Sequence, residues 1–434
     1  MTPCVGHVSR DFIKTIYHNY RIPYIIYTLS YTVAMLFPGM EPLSLVGMVF
    51  KLSNFFIETK NHLKGNRIEN ILWFVNIVPK QLGFSLERDK VFVPFWIGTA
   101  FILIYVYGVG SIVYQAKFAR LPSDFVKNYF NVSILIFVLT NCYWWIKQRP
   151  LLKTVLKQVT ENDRLSRETD CLLKKHENLL SVVKKIVFIF NGCNMIDAIF
   201  IYLPHRIDVS NNYYSMTPCV GLEPLTASPN REICLIILTL PEFCIITIML
   251  TFQSLILFLI AHTSAMYQLL SSEMLLLDKQ DFDQIHYKEM KEKLPKLINR
   301  HVLTLDIIKN LQDLYGMPTG VNFGTNAVCI ALFFYLSLQE CVNFSPIFIN
   351  SFLVFFLYCY LCQKLIDSSE IFERAVYACG WDKFDVREKR MVYVILLQAQ
   401  KPVKLLAANI IPVNIYTFAT TLQLLYKFLT VIKF

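Results

Sequence analysis

The chain has 434 residues, 55% of them hydrophobic and 17% charged, with a mean hydropathy of +0.44. That balance lies outside the range of soluble globular proteins and excludes a soluble enzyme; a bilayer is the natural solvent. The formal net charge of +10 does not point to nucleic acid either, because Lys and Arg cluster in alternate segments between apolar stretches, which is a membrane-topology pattern.

At the amino end, residues 1–70 read as an extension. Met1–Gly6 is MTPCVG, and the same six letters recur at Met216–Gly221; Gly39–Ser44 also echoes Gly221–Thr226. No fixed period follows, so a duplicated or misjoined coding fragment is the preferred explanation rather than a structural repeat. The order of a cleavable signal is absent from the first residues. Within the apolar segment 22–50, Ile22–Met40 is uncharged until Pro38, Gly39 and Pro42 interrupt it, and it reads either as an eighth span or as a re-entrant or interfacial segment.

A spanning helix needs roughly 20 mostly apolar residues. Six stretches reach or approach that: Val91–Gln115, Asn128–Ile146, Ile186–Leu203, Ile233–Ala261, Val321–Leu338 and Leu405–Tyr426. A seventh, Pro346–Cys362, joins Val321–Leu338 as a tight helical hairpin whose loop is expected at 341–345. Lys and Arg number 31 before the first span and in 147–181, 263–319 and 367–401, against 7 in the alternate segments. The expected fold is therefore an all-α membrane protein of seven transmembrane helices with a cytoplasmic amino terminus and an extracellular carboxyl terminus.

Between the spans, segment 263–319 mixes eight acidic with seven basic residues, and Ile298, Val302, Leu305 and Ile308 recur at helical spacing just before Val321. The spacing predicts a membrane helix extended into the cytoplasm with one buried face. That face serves either a solvated amphipathic helix or subunit packing. Lys401-Pro402 breaks the helix that leads into the last span.

Enzyme signatures and ligand-spaced histidine pairs are absent, so no catalytic residue, metal or cofactor is expected. Most of the twelve cysteines read as packing residues, including Cys359 and Cys362 despite their CxxC spacing; Cys219 and Cys234 are a candidate pair in the outer loop. Asn131 and Asn343 head formal glycosylation sequons. Asp197, a charge within the third span, is a functional candidate by its cost alone, with ligand contact, a helix-to-helix bond and a water-filled pocket all open. In the last span Thr420, Gln423, Lys427, Thr430 or Val431, and Phe434 share one face. They form either a pore wall with a hydrophobic constriction or a helix end whose lysines snorkel. Aromatics crowd the outer halves of other spans, including Tyr129, Phe130, Phe243, Phe348 and Phe352, and suit either an apolar ligand pocket or a lipid-facing belt.

The run from Gln363 to Phe434 resembles the insect odorant receptors through Ser369, Ala375, Tyr377, Trp381, Gln400-Lys401-Pro402, Phe418 and Tyr426–Ile432; looser resemblance in span placement extends from Trp73 to the end. The resemblance implies the odorant-receptor channel fold and a plasma-membrane, multi-pass subunit of an olfactory neuron dendrite. It further implies that volatile small molecules gate a cation channel, formed as a heterotetramer with an odorant coreceptor in the membrane lipid. Organised on that pattern, 71–262 is the ligand-sensing bundle of spans one to four, 263–319 a cytoplasmic helical loop and 320–366 the hairpin of spans five and six. Segment 367–401 becomes the cytoplasmic anchor and 402–434 the pore-lining span. Carried over by position, Phe130, Met195, Ile199, Phe243 and Phe352 are the expected pocket residues and Val431 the gate, with Thr430 and Lys427 beside it. Lys427 departs from the family, which places a small polar residue there. The rival reading is a gustatory-type channel working as a homomer.

Overall fold

Long apolar runs with few interior breakers give long helices, and several here exceed what a bilayer requires. The computed structural model describes residues 57–62, 64–81, 86, 93–117, 119, 122–168, 172–207, 219–222, 228–278 and 284–433. The apolar segment 22–50 and the repeat at Met1–Gly6 lie outside the described residues. Two units are distinguished, residues 1–64 with 93–97 and residues 65–92 with 98–434; the description that follows concerns the second.

Its helices, in order, are α1 (Ile68–Gln81), α2 (Val93–Leu103, of which residues 98–103 belong to this unit), which passes through a π turn at Ile104–Val109 into α3 (Gly110–Lys117), α4 (Pro122–Lys147) and α5 (Arg149–Arg167). They continue as α6 (Leu173–Ile207), α7 (Asn230–Asp278), α8 (Gln284–Phe333), α9 (Leu338–Tyr377), α10 (Val386–Ala399) and α11 (Ile415–Lys433). At about 1.5 Å per residue, the 49 residues of α7 and 50 of α8 run roughly 75 Å, over twice the ~30 Å hydrocarbon core. Each carries a membrane part and a part beyond it.

Helix α7 is the centre, packing most extensively on α9 and then on α6 and α8. Six consecutive residues, Leu255–Ile260, are all at most 3% exposed; a helix apolar all round is surrounded all round. Beyond them the interior turns polar. Asp163 is 1% exposed and bonded by His176 Nε2 at 2.8 Å, with Arg167 at 2.9 Å and His262 at 3.7 Å. Burial alone would raise the Asp163 carboxyl, yet the His176 and His262 rings beside it hold it well below the usual carboxylate range. Next to it Arg300 Nη1 donates to both oxygens of Glu273 at 2.6 Å and Nη2 to Ser166 at 2.7 Å, while Asn162 donates to Thr304 at 3.1 Å. This network ties α5, α6, α7 and α8 together.

Among the described residues, five helical stretches are long and apolar enough to cross a membrane: Ile97–Lys117, Asp124–Lys147, Leu173–Ala198, Asn230–Asp278 and Phe344–Lys383. The other two expected spans fall at the end of α8, which carries Asn322 and Asn326, and at α11, which carries Gln423 and Lys427. The hairpin turn comes earlier than expected. Chain reversal occurs at 334–337, because Ser337 and Glu340 form a reciprocal capping box that starts α9; residues 341–345 and the Asn343 sequon are already helical. Asn131 is only 3% exposed within α4. The Cys219–Cys234 pair is bonded.

The buried stripe of α8 also differs from the expected one. Val302 is 50% exposed, and the interior face runs through Leu297, His301, Thr304, Ile308 and Leu311. Polar residues entered because Glu273 and Asn162 satisfy their neighbours. The last helix begins ten residues later than the apolar run, since Leu405–Pro412 instead makes a small antiparallel hairpin, β1 (Leu406–Ala407) with β2 (Ile411–Pro412). Ala408 and Asn409 turn it in left-handed conformation (φ 52° and 60°), and the Asn414 side chain caps α11 by accepting from Thr417 N at 2.8 Å.

Two glycines admit this hairpin to the surface of α8. Ala408 N donates to Gly316 O at 2.7 Å, and a Cβ on Gly320 would lie 2.6 Å from that of Ala408 and 2.7 Å from its nitrogen. Gly320→Val is expected to displace the hairpin and destabilise the protein by about 1–3 kcal/mol, read as a lowered melting temperature in detergent. An unchanged melt would refute the close-packing role.

Candidate ligand-binding cavity

Where α4, α6, α7, α8 and α9 meet, they leave a cavity of about 100 Å³. One water needs only ~10–15 Å³ of such space, so it has room for a small organic molecule. Its apolar wall includes Phe130, Phe137, Ile246, Met249, Ile347 and Val354. Phe130, 2% exposed, also packs on Phe344 at 5.6 Å in a cluster with Val126 and Leu336. This packing borders the cavity on the side of the α8–α9 turn.

The rest of the wall is unusually polar for a membrane interior. Asn194, Asp197, Gln253, Asn322, Asn326 and Asn350 all line it. Asn194 donates its amide to Phe190 O at 2.8 Å. Gln253 and Asn322 are each 2% exposed, and Gln253 Oε1 and Asn322 Nδ2 have no hydrogen-bond partner among the described residues. Asp197 likewise has neither a hydrogen-bonding nor an ionic partner there. Each unsatisfied buried group costs about 1–3 kcal/mol, and such groups persist in membrane proteins at functional sites.

Of the residues singled out from sequence, Phe130 and Asp197 line the cavity. Met195 is 49% exposed, on the other side of α6 from Asn194 and Ala198. Ile199 and Phe243 lie on α6 and α7, their side chains outside the description. Phe352 sits behind the cavity on α9, stacked on Phe348 at 6.3 Å and edge-on to Phe418 of α11 at 5.4 Å. On α11, Lys427 is exposed and its carbonyl accepts from Thr430 Oγ1 at 2.8 Å. Val431 belongs to the same helix, its side chain outside the description.

Comparison with known proteins decides what surrounds this cavity: residues 121–426 match the sequence profile of the 7tm Odorant receptor family. The chain belongs to the 7tm odorant receptor family. Odorant receptor 67a of Drosophila melanogaster is 29% identical over 154 residues, 34% of this chain and 37% of that one; odorant receptor 10a of the same fly is 24% identical over 187 residues, 40% and 45%. The alignments therefore span less than half the length of these relatives. In structure, the receptor matches the insect olfactory receptor OR5 of Machilis hrabei with a TM-score of 0.69 at 16% identity, covering 83% of this chain and 97% of that one. A second structure of that protein, in complex with eugenol, matches with a TM-score of 0.66 at 16% identity over 87% and 98%. These likenesses establish the odorant-receptor fold for a multi-pass membrane protein.

Of the aromatics singled out from the spans, Phe130 alone is among the described lining residues of this odorant receptor's cavity, and the amides were not singled out. The signal was present: Asn194, Gln253, Asn322, Asn326 and Asn350 all interrupt apolar runs, and polar groups in a membrane helix turn inward.

Proposed function

We propose that this receptor binds a volatile small organic molecule in the α4–α9 cavity and so gates a non-selective cation channel formed with an odorant coreceptor in the plasma membrane. The observation that carries the reading is a cavity in which the buried Gln253 Oε1 and Asn322 Nδ2 lack hydrogen-bond partners among the described residues, sharing helix α9 with the last helix. One side of α9 presents Ile347, Asn350, Ser351 and Val354 to the cavity. From another, Phe352, Phe355 and Phe356 surround the Phe418 ring of α11 at 5.2–5.5 Å. A ligand that shifts α9 thereby moves α11. Residues 71–262 serve as the sensing bundle, 367–401 as the cytoplasmic anchor and 402–434 as the pore element, with Val431 as the gate.

The test is whole-cell current in cells expressing this chain with and without an insect odorant coreceptor, across a panel of volatile organics. Odour-evoked cation current only in co-expressing cells supports the reading; current from this chain alone supports the gustatory-type homomer. Silence with verified surface expression refutes both.

Two variants probe the route to the gate. Phe418→Ala removes the ring that couples α9 to α11, and should lower the maximal evoked current while surface level holds. Val431→Ala should raise basal current, as expected of a hydrophobic constriction loosened by a smaller side chain. Basal current equal to wild type at normal surface level would remove Val431 from the gate.

A further inference from the structure

We infer that the cavity selects ligands bearing a hydroxyl group, alcohols or phenols, over esters, ethers and hydrocarbons of the same skeleton. The inference rests on the ligand-binding reading above and deepens it.

The argument turns on two complementary orphans. Gln253 Oε1 needs a donor and Asn322 Nδ2 needs an acceptor; both residues are 2% exposed, both line the cavity, and neither atom has a partner among the described residues. They come from different helices, α7 and α8, and do not bond each other. A hydroxyl is the smallest group that offers one O–H donor and two acceptor lone pairs at a single atom, so it supplies both the donor that Gln253 lacks and the acceptor that Asn322 lacks. An ester, ketone or ether has no donor for Gln253. An ammonium has three donors and no acceptor for Asn322, and a hydrocarbon serves neither.

Asp197 adds a second acceptor on the same wall, without a partner among the described residues, and Lys, Arg and His are absent from the described lining residues. The other titratable lining group is Cys329. Around this polar patch Phe130, Phe137, Ile246, Ile347 and Val354 form the apolar surface that a carbon skeleton would occupy. Discrimination of this kind is large, because a site built to bond a hydroxyl leaves its own buried groups unpaired when the analogue lacks one.

The experiment compares alcohols and phenols of about four to ten carbons with their O-methyl ethers, acetate esters, parent hydrocarbons and corresponding amines. Half-maximal concentrations are measured in cells co-expressing the full chain with an odorant coreceptor. The wild-type receptor should respond to at least one hydroxyl compound about 10-fold or more lower in concentration than to its methyl ether. Gln253→Leu and Asn322→Leu should each erode that ratio while responses to the ether persist.

Equal potency of alcohol and ether on the wild type overturns the inference and leaves the receptor reading standing, as does activation by amines or esters in preference to alcohols. An unchanged ratio in both leucine variants at normal surface level overturns it too. Should the variants fail to reach the surface, the wild-type ratio decides alone. Silence to every compound, with the receptor verified at the surface, would sink the receptor reading and this inference with it.

Discussion

Arg300→Ala should leave little folded receptor at the cell surface. The guanidinium is 3% exposed, its Nη1 reaches both oxygens of a Glu273 carboxylate that is itself 7% exposed, and Nη2 holds Ser166. Removing the cation strands a buried carboxylate, and breaking such a pair from one side costs about 3–5 kcal/mol. That is a large part of the roughly 5–15 kcal/mol by which proteins are stable. Surface labelling and a detergent melt both read the loss.

The companion experiment separates charge burial from packing. Replacing Arg300 and Glu273 together by Met removes both charges at similar volume, and such double replacements are often neutral or stabilising. The double variant should regain most of the melting temperature that Arg300→Ala loses. A double variant no better than the single one would show that Arg300 acts through shape or through Ser166 rather than through the ion pair. Asp163 lies beside this pair, and its depressed carboxyl is stabilising while ionised; that contribution is lost as pH falls through its lowered folded value.

Much of this architecture is legible in the sequence because a bilayer demands long uncharged runs. The apolar stretches at 128–146, 186–203 and 233–261 fall within α4, α6 and α7. Legibility fails where polar contacts decide. The apolar repeat Ile298, Val302, Leu305 and Ile308 points about one helix position away from the face that is buried, because Arg300, His301 and Thr304 find partners or aromatic rings inside. The start of α11 is displaced from Leu405 to Ile415 because Gln312 bonds the backbone of Leu406 through both its amide nitrogen (2.9 Å) and its oxygen (2.6 Å). That long-range contact has no local signature.

The cavity illustrates both sides. Phe130 is visible as an aromatic in a span, and it lines the site. Asn322 and Asn326 are visible only as interruptions of an apolar run, yet they are what the apolar run is shaped around. On α6, the sequence singles out both Met195, which is exposed, and Asp197, which occupies the cavity wall with Asn194 and Ala198. A membrane helix turns its apolar residues to lipid as readily as to the interior, so its polar residues mark the inward face.

Acidification should destabilise the receptor through His301, and His301→Phe should remove that sensitivity. His301 is 3% exposed, 4.6 Å from the Phe372 ring and 6.1 Å from that of Tyr267. Burial among these groups pushes the imidazole down to about 4, against about 6.5 in the unfolded chain. Above pH ~6.5 both states hold it neutral and stability does not depend on this group. Between about 6.5 and 4 the unfolded chain binds a proton that the folded protein refuses, so stability falls as pH falls, by roughly 2 kcal/mol at pH 5. Phenylalanine fills the same aromatic contact without a titrating group. Melting in detergent at pH 7.5 and pH 5 should therefore show an acid loss that is smaller by about 2 kcal/mol in His301→Phe than in the wild type. His176 and His262 are common to both proteins and cancel in the comparison. Equal acid losses would show that His301 is not the source of the sensitivity.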